Sequence, residues 1–365
     1  MGILSLLSLG VFAQDTGVYN IYDSSVVSSK GLAQQNEFMN NTYDFPARPR
    51  SQTEIGISGG MFSVNGDVSA KMPTVGFGVH IRKALGYIFS LRLQYLYGVG
   101  EGLNWKPSYG YKNNPAWASY NSAALQPVYY NYRTHVQDLG LQGIFTLNNV
   151  RFHKQKTGMV LYGGVGIGAT IYDTKVQVPA NFSSIPFISP TTGNGYSDKK
   201  DIRKKLKELL KGVPYTEAEN NKRNSSTLFG QSLRPSVSLI GGIAFKLGKR
   251  VNLAIEDRFT VIKDDLLDGQ QWQEHPVGDP VQTRDYDSYN YLSVGLNFNL
   301  GKKSVEPLWW INPLDYAYSE INNPKHMKMP KPVFDDADGD GVVDQLDKEP
   351  NTPAGCPVDT HGVSK

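Results

Sequence analysis

Near the C-terminal end of the chain, the stretch "DDADGDGVVDQLDKEPNTPAGCP", Asp335 to Pro357, packs six aspartates into thirteen residues. Asp336, Asp338, Asp340, the Val342 carbonyl, Asp344 and Asp347 occupy positions 1, 3, 5, 7, 9 and 12 of a calcium loop, with Gly341 at position 6. Calcium takes six to eight oxygens, and that spacing wraps them around one ion while glycine permits the sharp turn. Seven acids and one lysine lie between Asp335 and Glu349, and without a cation they repel one another. The bland alternative is a disordered acidic linker. A sensor hand is excluded: Pro332 precedes the loop, Pro350 and Pro353 follow it, and position 12 is Asp rather than the longer bidentate Glu. The expectation is a structural calcium ion that stiffens a linker.

Catalytic chemistry has no comparable signature. His80, His135, His153, His275, His326 and His361 are scattered, and no Gly-x-Ser-x-Gly, His-Glu-x-x-His or phosphate-binding loop is present. The chain is therefore expected not to be an enzyme. Lys+Arg 37 against Asp+Glu 34 leaves a formal net charge of only +3, which gives no argument for a nucleic-acid partner.

The elements that would position these groups are strands. Gly (37) and Tyr (21) are abundant among 365 residues, which suits aromatic, glycine-punctuated strands better than helices. Eight period-two segments run along the chain, approximately Glu54–Asn65, Thr74–Lys83, Ile88–Gly98, Thr134–Leu147, Met159–Lys175, Ser236–Leu247, Val251–Ile262 and Tyr289–Leu300. Each is long enough to cross a bilayer when tilted. In the third, Phe89, Leu91, Leu93, Tyr95 and Tyr97 oppose Ser90, Arg92 and Gln94. Period alone does not separate a soluble sandwich from a membrane barrel, because both alternate. Connections do: the links after the second, fourth and sixth segments are short, and those after the third, fifth and seventh are long, the pattern of an outer-membrane barrel. The fold class is thus all-β membrane: an eight-stranded antiparallel transmembrane β-barrel with long extracellular loops and a periplasmic C-terminal extension.

This face assignment points His80, Arg82, Arg92, Gln94, Asp138, Gln142, Lys246, Glu256 and Arg258 into the lumen. Buried charges persist when paired, so Asp138 and Glu256 are expected to meet some of the arginines. A static polar plug and a narrow gated path both fit such a lumen. Tyr87, Trp105, Tyr132, Tyr172, Tyr289 and Tyr291, near segment ends, read as interfacial girdles or as loop anchors. In the longest loop, Ser197–Pro214 reads as an amphipathic helix with Ser197 or Asp198 as N-cap and Gly212 as the C′ residue. Its stripe of Ile202, Leu206, Leu209 and Leu210 opposes a basic face, suited to anionic headgroups, a partner, or folding over the barrel mouth.

Outside the barrel, 1–13 reads as a secretory signal on its apolar run from Ile3 to Phe12, with a buried N-terminal strand as the alternative. Residues 14–53 form a polar arm on the periplasmic side, 54–301 the barrel, 302–334 an aromatic and proline-rich periplasmic extension containing Trp309–Trp310, and 335–365 the calcium linker.

The segment "DADGDGVVDQLDKEPNTPAGCPVD" resembles the thrombospondin type 3-like calcium repeat in the linkers of OmpA-like outer-membrane proteins, and the eighth segment, "YNYLSVGLNFNLG", resembles the end of their barrels. The resemblance spans roughly Glu54–Lys365. It implies residence in the outer membrane of a gram-negative bacterium, surrounded by lipid. It also implies a tether to peptidoglycan through a C-terminal domain that no residue here supplies, so either the sequence is part of a longer product, which the odd cysteine favours, or this member works without the anchor. In similar repeats a Cys-Pro pairs with another linker cysteine, which leaves Cys356 awaiting a partner. The alternative is an accessory subunit of a larger outer-membrane assembly or secretion machine, with other outer-membrane proteins as partners. For this the arm, the Trp309–Trp310 patch and the basic helix would be the surfaces. A narrow porin-like channel is a more distant alternative.

Overall fold

The computed structural model describes residues 21–71, 73–120, 126–150, 158–182, 185, 199–219, 226–273, 281–282, 285–301, 306–314, 317, 320–321, 324 and 334–365. The expected signal segment 1–13, the first residues of the expected arm, Ser197, Asp198 and much of 302–334 lie outside them. Period-two sequence becomes eight long strands: β1 (Thr53–Asn65), β2 (Thr74–Ala84), β3 (Phe89–Leu103), β4 (Asn131–Thr146), β5 (Met159–Gln177), β6 (Gln231–Lys246), β7 (Val251–Ile262) and β8 (Ser288–Leu300). Each pairs antiparallel with its neighbour in sequence, for example Leu93 with Leu141 across β3 and β4. The ring closes between β1 and β8, where Thr53 pairs with Leu300 and Asn65 with Ser288. Closure leaves no long strand with an unpaired edge, as a lipid environment requires.

Which face is apolar decides the class. Ile55, Phe77, Leu93, Leu141, Ile167, Leu239, Ile255 and Val294, one from each strand, are exposed on the outside of the ring. On the inside, Arg82, Arg92, Asp138, Gln142, Glu256 and Arg258 are buried. A soluble sandwich or barrel puts its apolar face inward, so this inversion belongs to a transmembrane barrel. No described helix is long and apolar enough to cross a membrane, which says nothing against crossing with strands.

Short links at 85–88 and 247–250 mark one end of the barrel, together with the start of β1 and the end of β8; the longer links 104–130, 178–230 and 263–287 mark the other. Of the arm, residues 21–52 are folded rather than extended. A short helix, α1 (Leu32–Met39), buries Gln35 and Phe38. Gln35 donates from Nε2 to the Ile21 carbonyl and accepts from the Ala47 amide, which closes the segment on itself. Arg48 then donates to the Leu85 carbonyl at 3.0 Å and lies over the Tyr87 ring, fastening the arm to the short-link end.

The chain divides into two compact units, Met1–Tyr318 and Ser319–Lys365. The second is built from turns. Asp344 donates its amide to the Asp335 carbonyl, Lys348 to the His361 carbonyl, and Val358 bridges Ser364. Polar side chains replace an apolar core there: the Glu349 carboxylate accepts from both the amide and the hydroxyl of Ser364, and the Thr352 hydroxyl donates to the Gly362 carbonyl.

Candidate functional site

Lumen residues arrange in layers along the barrel axis. Nearest the short-link end, Glu54 accepts from Asn252 Nδ2 at 2.8 Å and lies 3.7 Å from His80 Nε2. Arg82 donates to Ser90 Oγ at 2.8 Å, and its guanidinium lies 4.0 Å from the centre of the Trp309 ring. In the next layer the Arg92 fork grips Glu256 at 2.5 and 2.8 Å. The Tyr162 hydroxyl donates to the same carboxylate at 2.8 Å. Beyond it, Arg258 pairs with Asp138, which also accepts from Thr170 and Ser236 at 2.7 Å each. Gln142 joins the layers by donating to Gln94 at 2.9 Å.

The expected lumen residues are therefore where the alternation places them, and both expected carboxylates meet arginines. Lys246 sits at the rim instead, paired with Glu306 at 2.5 Å. Among the lumen groups that escaped the sequence reading are Glu54 and Tyr162. In β1 the run of glycine and serine from Gly56 to Gly60 hides the alternation that would have assigned Glu54 to the inside.

A buried apolar cluster lies at each end of this polar column. At the short-link end Leu308, Trp309, Trp310 and Ile311 are buried among Ala84, Ile144, Val160, Tyr162 and Ile240. Trp309–Trp310 is thus a plug and not the exposed docking patch that the sequence suggested. At the long-loop end an aromatic cluster holds Trp117, Tyr129, Tyr130, Tyr132, Phe182, Tyr172, Tyr289 and Tyr291. Tyr132, Tyr172, Tyr289 and Tyr291 were expected as interfacial girdles or loop anchors; they point inward, because they share strand parity with Thr134, Thr170 and Ser293.

The loop helix, α2 (Lys199–Leu210), belongs to the same cap. Ile202, Leu206 and Leu210, four residues apart, are buried, so its apolar stripe is spent on the barrel mouth. Gly212, at φ +87°, ends it in the left-handed region, and Gln177 Nε2 donates to the Leu210 and Val213 carbonyls. Beneath it opens a cavity of about 280 Å³ whose walls include Lys71, Glu101, Tyr132, Lys207 and Lys211.

Carboxylates also gather at this end. Asp268 and Asp287 are 1% and 2% exposed. Burial holds both well above the usual carboxylate range, and for Asp287 the charge of Asp268 adds to it. Burial, with the charges of Asp268 and Asp67 next, pushes Asp265 up to about 8. Asp67 is raised by burial and by Asp285.

In the second unit, Asp336, Asp338 and Asp340 bring carboxylate oxygens within 4.8 Å of one another. Gly341, at φ +93°, makes the turn expected at position 6. Three observations test whether calcium fits. Asp340 Oδ2 is buried and has no hydrogen-bond partner. A Cβ on Gly362 would fall 1.9 Å from Asp347 Oδ1 and 3.1 Å from Asp340 Oδ2, so two of the carboxylates crowd one glycine. Amides of Gly339 and Gly341 donate to the two oxygens of Asp336, which fixes that side chain toward the loop. Asp344 stands outside the triad and accepts from the Ala337 amide at 2.8 Å, while the Val342 amide donates to Asp340. Hard oxygen donors in this set suit calcium. Cys356 is exposed and free.

No protein-family model and no curated protein matches the chain. Among solved structures it is similar to Neisserial surface protein A, with 10% identity over 68% of this chain and 98% of that one and a TM-score of 0.31. Ail, the attachment invasion locus protein of Yersinia pestis, in complex with the heparin analogue sucrose octasulfate, gives 10% identity, 68% and 98% coverage and a TM-score of 0.31. A major outer membrane protein from Thermus thermophilus gives 11% identity, 68% and 99% coverage and a TM-score of 0.34. By its own closure, face inversion and link lengths the chain is an outer-membrane-type β-barrel.

Proposed function

We propose that the barrel is a non-enzymatic anchor in the outer membrane of a gram-negative bacterium, and that residues 335–365 are a calcium-stiffened periplasmic linker of a tether to peptidoglycan. The observation that carries this reading is the convergence of Asp336, Asp338 and Asp340 on one loop, with Asp340 Oδ2 buried and unpaired. Calcium there would be held by Asp336, Asp338, Asp340 and Asp347, with the Val342 carbonyl and Asp344 completing the expected set. The ion's chemistry is structural: it offsets the repulsion of clustered carboxylates and restricts the turns they occupy. Peptidoglycan itself would be gripped by a domain that the residues here do not include.

A lumen filled by paired charges between two plugs supports an anchor over a channel. Of the surfaces of the accessory-subunit alternative, Trp309–Trp310 is buried within the chain, while the basic face of α2, with Lys204, Lys205 and Lys207, stays exposed. The test of that alternative is purification from gently solubilised membranes, where recovery as a free monomer removes it. The tether is tested on the protein in its own cells, by washing peptidoglycan sacculi with detergent. Retention of the protein on sacculi is the expected result; complete release into the detergent fraction contradicts the tether.

A further inference from the structure

A second cluster of carboxylates has no place in the anchor. Asp268, in the β7–β8 connection, accepts from the Val68 amide at 2.7 Å and from the Gln270 amide at 3.0 Å, so it joins that connection to the β1–β2 loop. Asp287 accepts from the Leu267 amide at 2.7 Å, with the Asp268 amide at 3.4 Å. Both carboxylates close on one point: a Cβ on Gly66 would fall 2.4 Å from Asp287 Oδ1 and 2.5 Å from Asp268 Oδ2. Only glycine admits both. Neither carboxylate, nor Asp67 beside them, has an ion pair with any described lysine, arginine or histidine.

Two further buried groups point to something between these loops. The Tyr132 hydroxyl has no hydrogen-bond partner, although the residue is only 3% exposed. It stands two residues from Thr134 on the lumen face of β4, and the Thr134 hydroxyl donates to the Leu267 carbonyl. The Tyr132 ring also leans across Gly102, where an added Cβ would meet it, and Gly102 bridges Ala70 of the β1–β2 loop. The hydroxyl is therefore aimed at the seam that Asp268 closes, and it feels the charges of Asp268 and Asp287. Gln270 Oε1, in the same turn, is likewise buried and unpaired. Buried polar atoms without partners are costly, and an acceptor-rich pocket to which the described residues bring no cation is completed by a metal cation or by protons.

The geometry points to a second divalent-cation site, of the hard, oxygen-seeking calcium class, held by Asp268 and Asp287 at the long-loop mouth. The ion locks the β1–β2 loop to the β7–β8 connection across the top of the lumen. Remaining coordination positions are filled by water, as calcium sites allow.

Calcium alone is the probe. The full chain carrying Asp338→Asn and Asp340→Asn, which silences the linker, is titrated with calcium chloride in detergent micelles by calorimetry. It is expected to retain one calcium, and calcium is expected to slow hydrogen exchange at the amides of Val68, Leu267 and Gln270. Adding Asp268→Asn and Asp287→Asn is expected to weaken binding by more than about tenfold. Heat-modifiable migration on gels checks that this variant remains folded. A linker-silenced chain that binds no calcium, or whose binding is unchanged by the second pair of substitutions, overturns the site. If the second pair fails to fold, the exchange measurement on the first variant decides, and unaltered protection at those three amides overturns it. A carboxyl pair held together by a shared proton would give that negative outcome.

Discussion

Replacing Glu256 with Ala tests the lumen at its most exposed energetic point. Arg92 and Glu256 are 3% and 7% exposed at their side chains and are joined by both arms of the guanidinium. Without the carboxylate, Arg92 keeps only Gln142 Oε1 as a close acceptor, and Tyr162 loses the group to which its hydroxyl donates. Breaking a buried pair on one side costs about 3–5 kcal/mol, because the remaining charge is left desolvated. At about 1.4 kcal/mol per factor of ten, the folded fraction relative to unfolded drops by a hundredfold to a few thousandfold. Removing both charges, as Arg92→Met with Glu256→Leu, is expected to recover most of that loss, the orphaned Tyr162 hydroxyl accounting for about 1–3 kcal/mol of the remainder. Urea unfolding from lipid vesicles, followed by heat-modifiable migration, measures all three proteins. A single variant that loses less than about 1 kcal/mol, or a double variant no more stable than the single, refutes the paired-charge account of the lumen.

Further outcomes follow from the plugs and the loops. Trp309→Ala removes a ring that is 1% exposed and lies under Arg82, so a stability loss of about 3–5 kcal/mol is expected in the same unfolding assay. In planar bilayers the unaltered chain is expected to show no stable conductance, and stable openings would contradict the closed lumen. Glu219 accepts from Trp272 Nε1 at 2.9 Å and from Gln271, while its Oε2 is buried without a partner; burial raises its pKa above 4.5. The folded loop therefore binds this proton more tightly than the unfolded chain. Its contribution is complete below pH 4.5 and fades as pH rises through the folded-state value. Tryptophan fluorescence against pH should show that loosening, and Glu219→Gln should flatten the profile.

The barrel was legible because lipid imposes strict alternation, and alternation survives in the sequence as period two. Strand limits shifted by a few residues, most at β3 and β6, where the ladder runs past the apolar belt to Leu103 and back to Gln231. Lumen charges were legible by parity alone, as with Arg258 and Asp138, although their pairing across 120 positions was not. The girdle reading of the inward tyrosines fails for a readable reason, while their packing against loop residues fits the loop-anchor alternative: Tyr289 and Tyr291 are four and two residues from Ser293, on its face. Trp309–Trp310 is different, since a plug made by a segment outside the strands carries no periodic signal. The Asp268–Asp287 cluster was invisible for the same reason, with Val68 and Asp268 meeting across 200 positions. Spacing could single out the aspartate loop because its carboxylates are local. Asp336, Asp338 and Asp340 converge, whereas Asp344 is turned to an amide.

The central claim is that calcium orders the C-terminal segment of an otherwise self-sufficient barrel. Hydrogen exchange of the full chain in micelles, with calcium and with chelator, reads this directly at the amides of Gly339, Gly341, Val342 and Thr352, all of which donate to loop carboxylates. Protection at those amides is predicted to fall on chelation, and to be lost with calcium present in Asp338→Ala with Asp340→Ala, while the amides of the eight strands stay protected throughout. Equal protection of the four amides with calcium and with chelator would contradict the account.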